Sequence, residues 1–409
     1  MELFQREKYL KKVRGFYHED DLINVITGVR RCGKSSLMKI IADEILASGV
    51  KKENIIFIDL DSREHSKIKN DDELDKLIEN LSKAKGKKYL FIDEVQNVKN
   101  FEEVLNGYRT DGDYSIFITG SNSYLLSGEL MTKLTGRYLE FEMFPLSFDE
   151  YEEMKKFYNK TINPNTILEF NNYILEGGFP RSILIDSLQD KRKYLQDIVK
   201  EIFEKDIKKR VHIRNIDTFN IVTKFIINNF GSTTSVHNMC KSLRANNILI
   251  TKETLVKYIQ ALIDAKILYE CQRFDMKSKK TLRGEKKYYI VDLGFYYANN
   301  TDNQIQYSGD LENMLYFYAR SHDYSVSVGR IGKLECDFIL RDINMDYSYV
   351  QVAYTIASGK ETEDREYRPL EQIKDNYPKY VMTTDYLLQK RNGIKHENII
   401  EFMKGNRKF

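Results

Sequence analysis

The segment Gly28-Val29-Arg30-Arg31-Cys32-Gly33-Lys34-Ser35 has the spacing G-x-x-x-x-G-K-S. That spacing suits phosphate. Glycines let the backbone turn tightly enough for its N–H groups to converge on phosphate oxygens. Lys34 adds a point charge for the β- and γ-phosphates, and the Ser35 hydroxyl offers a ligand to Mg²⁺. The candidate nucleotide-binding residues are therefore Gly28, Arg30, Arg31, Cys32, Gly33, Lys34, Ser35 and Ser36. Residues 88–94 (KYLFIDE) form an apolar run that ends in two acids. Asp93 would hold Mg²⁺ together with Ser35, and Glu94 would polarise the attacking water. A paired Asp-Glu argues for hydrolysis beyond mere binding, so the expected cofactors are ATP and Mg²⁺. A third apolar run, 115–119, ends in Gly120-Ser121-Asn122. Asn122, or Ser121 beside it, is the candidate sensor of the γ-phosphate; a plain turn leaving the strand is the alternative.

These residues need strands to carry them. LINVIT (22–27) precedes the glycine loop and a helical pattern, SSLMKIIADEIL, follows it. NIIFIDL (54–60), residues 89–92 and residues 115–119 are further apolar runs. Continuous apolar strands alternating with helices indicate a parallel sheet covered on both faces, an α/β architecture. Residues 151–214 read as helical, with a Gly-Gly-Phe-Pro turn at 177–180 and a long charged helix near 188–210. Residues 215–291 read as three helices and then two strand-like pieces, 267–274 and 287–291. The loop between those pieces is KSKKTLRGEK, and the order is that of a winged helix. Beyond 301 come a helix at 311–320, strands at 324–328, 334–340 and 347–354, and a charged, more helical tail. The expected domains are 1–150, 151–214, 215–300 and 301–409.

The chain has 409 residues, with 64 Lys and Arg against 61 Asp and Glu, a net charge of +3. Bulk charge therefore does not call for nucleic acid; a local patch must. Residues 277–287 supply one: Lys277, Lys279, Lys280, Arg283, Lys286 and Lys287 against a single acid. The preceding helices add Lys241, Arg244, Lys252 and Lys257. Cations clustered beside a winged helix are the footprint of phosphate-backbone binding, so DNA is the expected partner. A solvated hairpin tip, or a winged helix that contacts protein, is the alternative. The four cysteines lie far apart, which suggests neither zinc nor disulfides. The charged start of the chain lacks a signal-peptide apolar core, and no run approaches the ~20 apolar residues of a membrane span. A cytoplasmic protein is expected.

The chain resembles prokaryotic AAA-type ATPases of the AAA_14/DUF4143 group. The matching segments are ITGVRRCGKSSLM (26–38), FIDEVQ (91–96), ITGSNSYLLS (118–127), LTGRYLEFEMFPLSFDEY (134–151), GGFP (177–180), YYIVDLG (288–294), LEN (311–313) and ECDFIL (335–340). They cover nearly the whole chain in order. The resemblance implies an AAA-like ATPase fold, then a winged helix, then a nuclease-like fold. It further implies that Arg137, in the TGR segment, is an arginine finger reaching a neighbouring subunit of a homo-oligomer. Pairing of Arg137 with Glu140 or Glu142 is the alternative.

The last region resembles the PD-(D/E)xK nucleases, whose chemistry needs a helix acid, a strand Asp and a Glu-x-Lys. Glu312 fits the helix acid and Asp337 the strand acid, with Glu335 on the same strand face. The third element is Gln351-Val352-Ala353. Gln is a poor ligand for a hard cation, and Ala cannot act on water. The domain is expected to have lost nuclease chemistry and to serve binding or assembly. The leading expectation is an oligomeric ATPase that engages DNA. A nucleotide-gated signalling or defence scaffold is the runner-up, and an ATP-dependent nuclease comes third.

Overall fold

The computed structural model describes residues 2–120, 134, 136–208, 211–300 and 304–409. They form two compact units, Met1–Phe144 and Pro145–Phe409. No helix among the described residues is long and apolar enough to cross a membrane.

The first unit runs α1 (Glu7–Val13), β1 (Ile23–Gly28), α2 (Lys34–Ala47), β2 (Ile55–Asp59), α3 (Asp71–Leu81), β3 (Lys88–Asp93), α4 (Phe101–Asp111), β4 (Tyr114–Thr119) and β5 (Tyr138–Met143). The strands line up in the order β2-β3-β4-β1-β5, and every neighbouring pair is parallel. Alternate side chains explain why the runs read as continuously apolar. Val25, Ile58, Ile92 and Ile118 pack on one face with Leu74 and Ile78 of α3 and Leu105 of α4. Phe57, Phe91 and Phe117 stack on the other, with ring centroids 5.8 and 4.9 Å apart. Both faces are buried, as a parallel sheet with crossover helices requires. β5 is a strand that the apolar pattern did not reveal. It lies at the sheet edge, and Glu140 and Glu142 break its run.

The second unit begins with α5 (Phe148–Phe157), α6 (Thr166–Glu176), α7 (Leu188–Ile202), α8 (Ile216–Asn228), α9 (Val236–Ala245) and α10 (Lys252–Asp264). A hairpin of β6 (Leu268–Asp275) and β7 (Lys280–Ile290) follows, then α11 (Leu293–Asn299) and α12 (Tyr307–Ser321). The chain ends with β8 (Ser325–Ile331), β9 (Leu334–Arg341), β10 (Tyr347–Val352), α13 (Lys360–Glu371), β11 (Lys379–Thr383), β12 (Lys390–Arg391), β13 (Ile394–Asn398) and α14 (Ile399–Lys404).

Three expectations are corrected here. β7 starts at Lys280, so most of the expected basic loop is strand and the connection shortens to 276–279. A hairpin on a sheet edge keeps one side in water, and its polar residues imitate a loop. β6 also pairs with β8, in one sheet ordered β12-β13-β11-β10-β9-β8-β6-β7. The sheet therefore crosses the expected boundary at 300. Finally, the tail carries β11, β12 and β13 as well as helices.

Three short motifs meet in this unit. The Gly178 N–H donates to Asp292 Oδ2 at 2.6 Å, and the Gly294 N–H to Asp292 Oδ1 at 2.8 Å. The Gly178 carbonyl accepts from the Leu146 N–H at 2.7 Å. Phe179 packs on Phe295 at 4.9 Å. Next to Leu146, Ser147 caps α5 in a reciprocal box with Glu150. Burial pushes the Asp292 carboxyl up to about 7. A Cβ on Gly178 would lie 2.4 Å from the Leu146 carbonyl oxygen. Gly178→Ala should therefore cost about 1–3 kcal/mol through overpacking. Thermal melting of the full chain should show a midpoint several degrees lower; an unchanged midpoint would mean the close approach is not a constraint.

Candidate nucleotide site

The loop 28–33 leaves the end of β1 and enters α2. Gly28 has φ 138°, and a Cβ there would sit 2.2 Å from the Met143 carbonyl oxygen, so the position admits only glycine. Gly33, at φ 110°, heads α2, and no side chain among the described residues caps that helix start. The helix dipole favours an anion at that start. Lys34 is buried, and its Nζ donates to the carbonyls of Gly28 at 3.0 Å and Val29 at 3.2 Å. The buried Arg6 guanidinium braces the loop, donating to the Cys32 carbonyl at 3.1 Å and the Phe144 carbonyl at 2.8 Å. Cys32 packs inside, and burial raises its thiol pKa. Ser35 and Ser36 lie half-buried on the first turn of α2, Arg30 is half-buried and Arg31 is exposed. These residues fit a nucleotide phosphate with Mg²⁺: a glycine cradle, an uncapped helix start and a buried ammonium share one loop.

The two acids lie at the same sheet edge. In the parallel register Ile26 pairs with Thr119, and Ile92 with Ile118. Asp93 is buried and accepts a short hydrogen bond from the Thr119 hydroxyl. The same hydroxyl oxygen accepts from the Glu94 N–H at 3.1 Å. Glu94 has φ 58°, a left-handed turn for a non-glycine residue, which swings its carboxylate out of the strand line. Its Oε2 accepts from Gln96 Nε2 at 2.5 Å and lies 3.8 Å from the Arg30 guanidinium. Thr119 is thus a site residue whose role was missed. Its signal was present, since it is the polar residue that ends an apolar strand.

Other candidates lie elsewhere. Asn122 and Ser121 fall outside the described residues. Arg137 is exposed, and its guanidinium donates to Asn106 Oδ1 at 3.2 Å. Glu140 instead accepts from Thr27 at 2.6 Å. The Arg137 carbonyl accepts from the N–H of Ile23, the first residue of β1. Arg137 thus stands at the start of the strands, about 20 Å from the glycine loop at ~3.3 Å per residue.

The basic hairpin divides. Lys277, Lys279 and Lys280 are exposed; Lys286 pairs with Glu270 at 2.7 Å. The side chain of Arg283 is not among those described. Lys287 is a correction: its side chain is only 5% exposed and sits 2.9 Å from Glu312 and 3.0 Å from Glu335. A cation so enclosed cannot present itself to a DNA backbone.

The comparisons with known proteins agree with this fold. Residues 20–152 match the AAA domain family AAA_14. Residues 167–304 match a domain of unknown function, DUF8612, a designation different from the DUF4143 of the sequence resemblance. An uncharacterized protein of Haemophilus influenzae is 32% identical over 403 residues, spanning 98% of each chain. One from Methanocaldococcus jannaschii is 30% identical, over 93% of this chain and 86% of its own. The Walker-type ATPase of Pyrococcus abyssi has a similar fold, with TM-score 0.50, 16% identity and coverage of 72% of this chain and 95% of that one. The fold is that of AAA-type P-loop ATPases, and the chain belongs to one family with its Haemophilus influenzae and Methanocaldococcus jannaschii relatives.

Proposed function

We propose that the chain binds ATP with Mg²⁺, hydrolyses it, and couples turnover to DNA engagement as an oligomer. The observation that carries the hydrolytic part is the Thr119 hydroxyl, which joins Asp93 and Glu94 at the sheet edge that holds the glycine loop. Lys34 and the first amides of α2 would hold the phosphates. Ser35 and Asp93 would hold Mg²⁺, whose role is to neutralise charge on the β- and γ-oxygens. Glu94 would orient and deprotonate the attacking water.

Arg137 lies too far from its own chain's loop to act there, which supports service to a neighbouring subunit. For DNA, the support is the order of elements: three helices, α8 to α10, then the β6–β7 hairpin. Lys241, Arg244, Lys252 and Lys257 are exposed on α9 and α10, and Lys277, Lys279 and Lys280 at the hairpin tip. The region 301–409 is proposed as a nuclease-like sheet without nuclease chemistry. A second reading, a nucleotide-gated scaffold whose winged helix contacts protein, is favoured by the loss of Lys286 and Lys287 to ion pairs.

Three measurements test these assignments. Lys34→Ala should abolish nucleotide binding, while Glu94→Gln should bind ATP normally and turn it over about 10²–10⁴-fold more slowly; normal turnover in Glu94→Gln would remove Glu94 from the mechanism. Arg137→Ala should be inactive alone, yet mixing it with Glu94→Gln should restore hydrolysis, because one chain supplies Glu94 and the other Arg137. No recovery on mixing would sink the trans arrangement. Replacing Lys277, Lys279 and Lys280 by Ala should lower the slope of log affinity for duplex DNA against log salt by about 2–3, at ~0.9 per phosphate contact. An unchanged slope, or no DNA binding by the wild type, would favour the protein-contact scaffold.

A further inference from the structure

The buried Lys287 explains a gap that the sequence left open. A nuclease-type site in this sheet should place a lysine at 353, where the chain has Ala353. The ammonium comes instead from β7. Lys287 Nζ lies 2.9 Å from Glu312 Oε2 on α12, 3.0 Å from Glu335 Oε1 and 4.0 Å from Asp337 Oδ1 on β9. Register shifts in β6, between Gln272 and Phe274, and in β8, between Ser327 and Gly329, interrupt the strands between β7 and β9. Bulges of that kind increase twist and coil a sheet. The coil lets a residue on the edge strand reach acids three strands away.

The three acids have further partners. Asp337 Oδ2 accepts from the Val352 N–H at 2.8 Å, Glu312 Oε2 accepts from Tyr289 at 3.1 Å, and Glu335 Oε2 pairs with Arg273 at 3.0 Å. Gln351, which stands where a carboxylate ligand belongs, turns its Oε1 toward the Asp337 N–H at 3.4 Å. Burial raises the Asp337 and Glu312 carboxyls, while the surrounding acids raise Lys287 despite its own burial. Among the described residues, no group of three or more His, Cys, Asp or Glu side chains is arranged to hold a metal ion as it stands.

We propose that Lys287 is a built-in cation: its ammonium fills the position between Glu312, Glu335 and Asp337 that a divalent metal takes in a nuclease, and so excludes one. An ammonium is a compact point charge with three donors, which suits this replacement. Removing either partner of a buried ion pair strands the other, so the ammonium stays as long as the acids do. The site then joins α12, β7 and β9 and offers no Mg²⁺ for phosphodiester cleavage. This rests on the nuclease-like reading of the sheet and is independent of the ATPase assignment.

The test uses Mn²⁺ as the probe on the full chain without nucleotide. Binding is followed by loss of the free-ion EPR signal, and only binding that disappears with Asp337→Asn is counted. Wild type should bind none. Lys287→Ala should bind one equivalent, gain several degrees in melting midpoint with Mn²⁺, and lose both effects in Lys287→Ala/Asp337→Asn. Wild type binding Mn²⁺ through Asp337 would overturn the exclusion while leaving a nuclease-like site standing. A folded Lys287→Ala that binds none would overturn the nuclease-like reading itself. Should Lys287→Ala fail to fold in metal-free buffer, refolding with Mn²⁺ decides: recovery supports the proposal, and no recovery overturns it.

Discussion

The parallel register of β1, β4 and β3 is the constraint on which the nucleotide edge depends. Strands that run the same way deliver their C-terminal ends to one side of the sheet, where ligands of open α/β folds collect. Here that edge receives the glycine loop from β1, Thr119 from β4 and Asp93-Glu94 from β3. β4 lies between the other two. Its terminal hydroxyl can therefore reach the next strand, donate to the Asp93 carboxylate and accept the Glu94 N–H. A buried carboxylate without such a donor would cost free energy. The acid pair is thus held by a residue that has no catalytic chemistry of its own.

The same constraint shows why part of the site was legible and part was not. The glycine loop is a contiguous motif, so sequence spacing alone identifies it. The β1, β3 and β4 runs were legible because burial on both faces makes them apolar at most positions. Thr119 needed the strand order, since it acts on residues 93 and 94 across a strand boundary. β5 was hidden because an edge strand keeps alternate positions polar, as Glu140 and Glu142 do. The hairpin failed for a related reason. Basic residues in a row suggest a solvated loop, yet a strand sends alternate side chains to opposite faces. Lys286 and Lys287 are neighbours, and only Lys287 turns inward.

Glycines show the same contrast between chemistry and packing. Gly28 and Gly178 are both forbidden a Cβ by a backbone carbonyl, that of Met143 at 2.2 Å and that of Leu146 at 2.4 Å. The first close approach shapes a loop that can face phosphate. The second closes a latch among Leu146, Gly178 and Asp292 with no anion in view. Motifs 145–146, 177–180 and 292–294 are specific in sequence because they must fit one another, which is a packing requirement. Specificity of a motif is therefore not evidence of catalysis; the partners of its polar groups decide.

Partners also separate the two buried lysines. Lys34 donates to two neutral carbonyls of its own loop. Those bonds carry charge on the donor side alone, whereas the bonds of Lys287 carry opposite charges on both sides. A phosphate bearing several negative charges would offer the Lys34 ammonium a charged acceptor in exchange for two neutral ones. Lys287 donates to carboxylates, with Glu312 and Glu335 both within 3.0 Å. Withdrawing it would leave the buried Glu312 and Asp337 without their cation, a loss of several kcal/mol. One residue type, buried to a similar degree, is thus set up for exchange in one unit and committed in the other. The neutral or charged character of its present acceptors makes that difference.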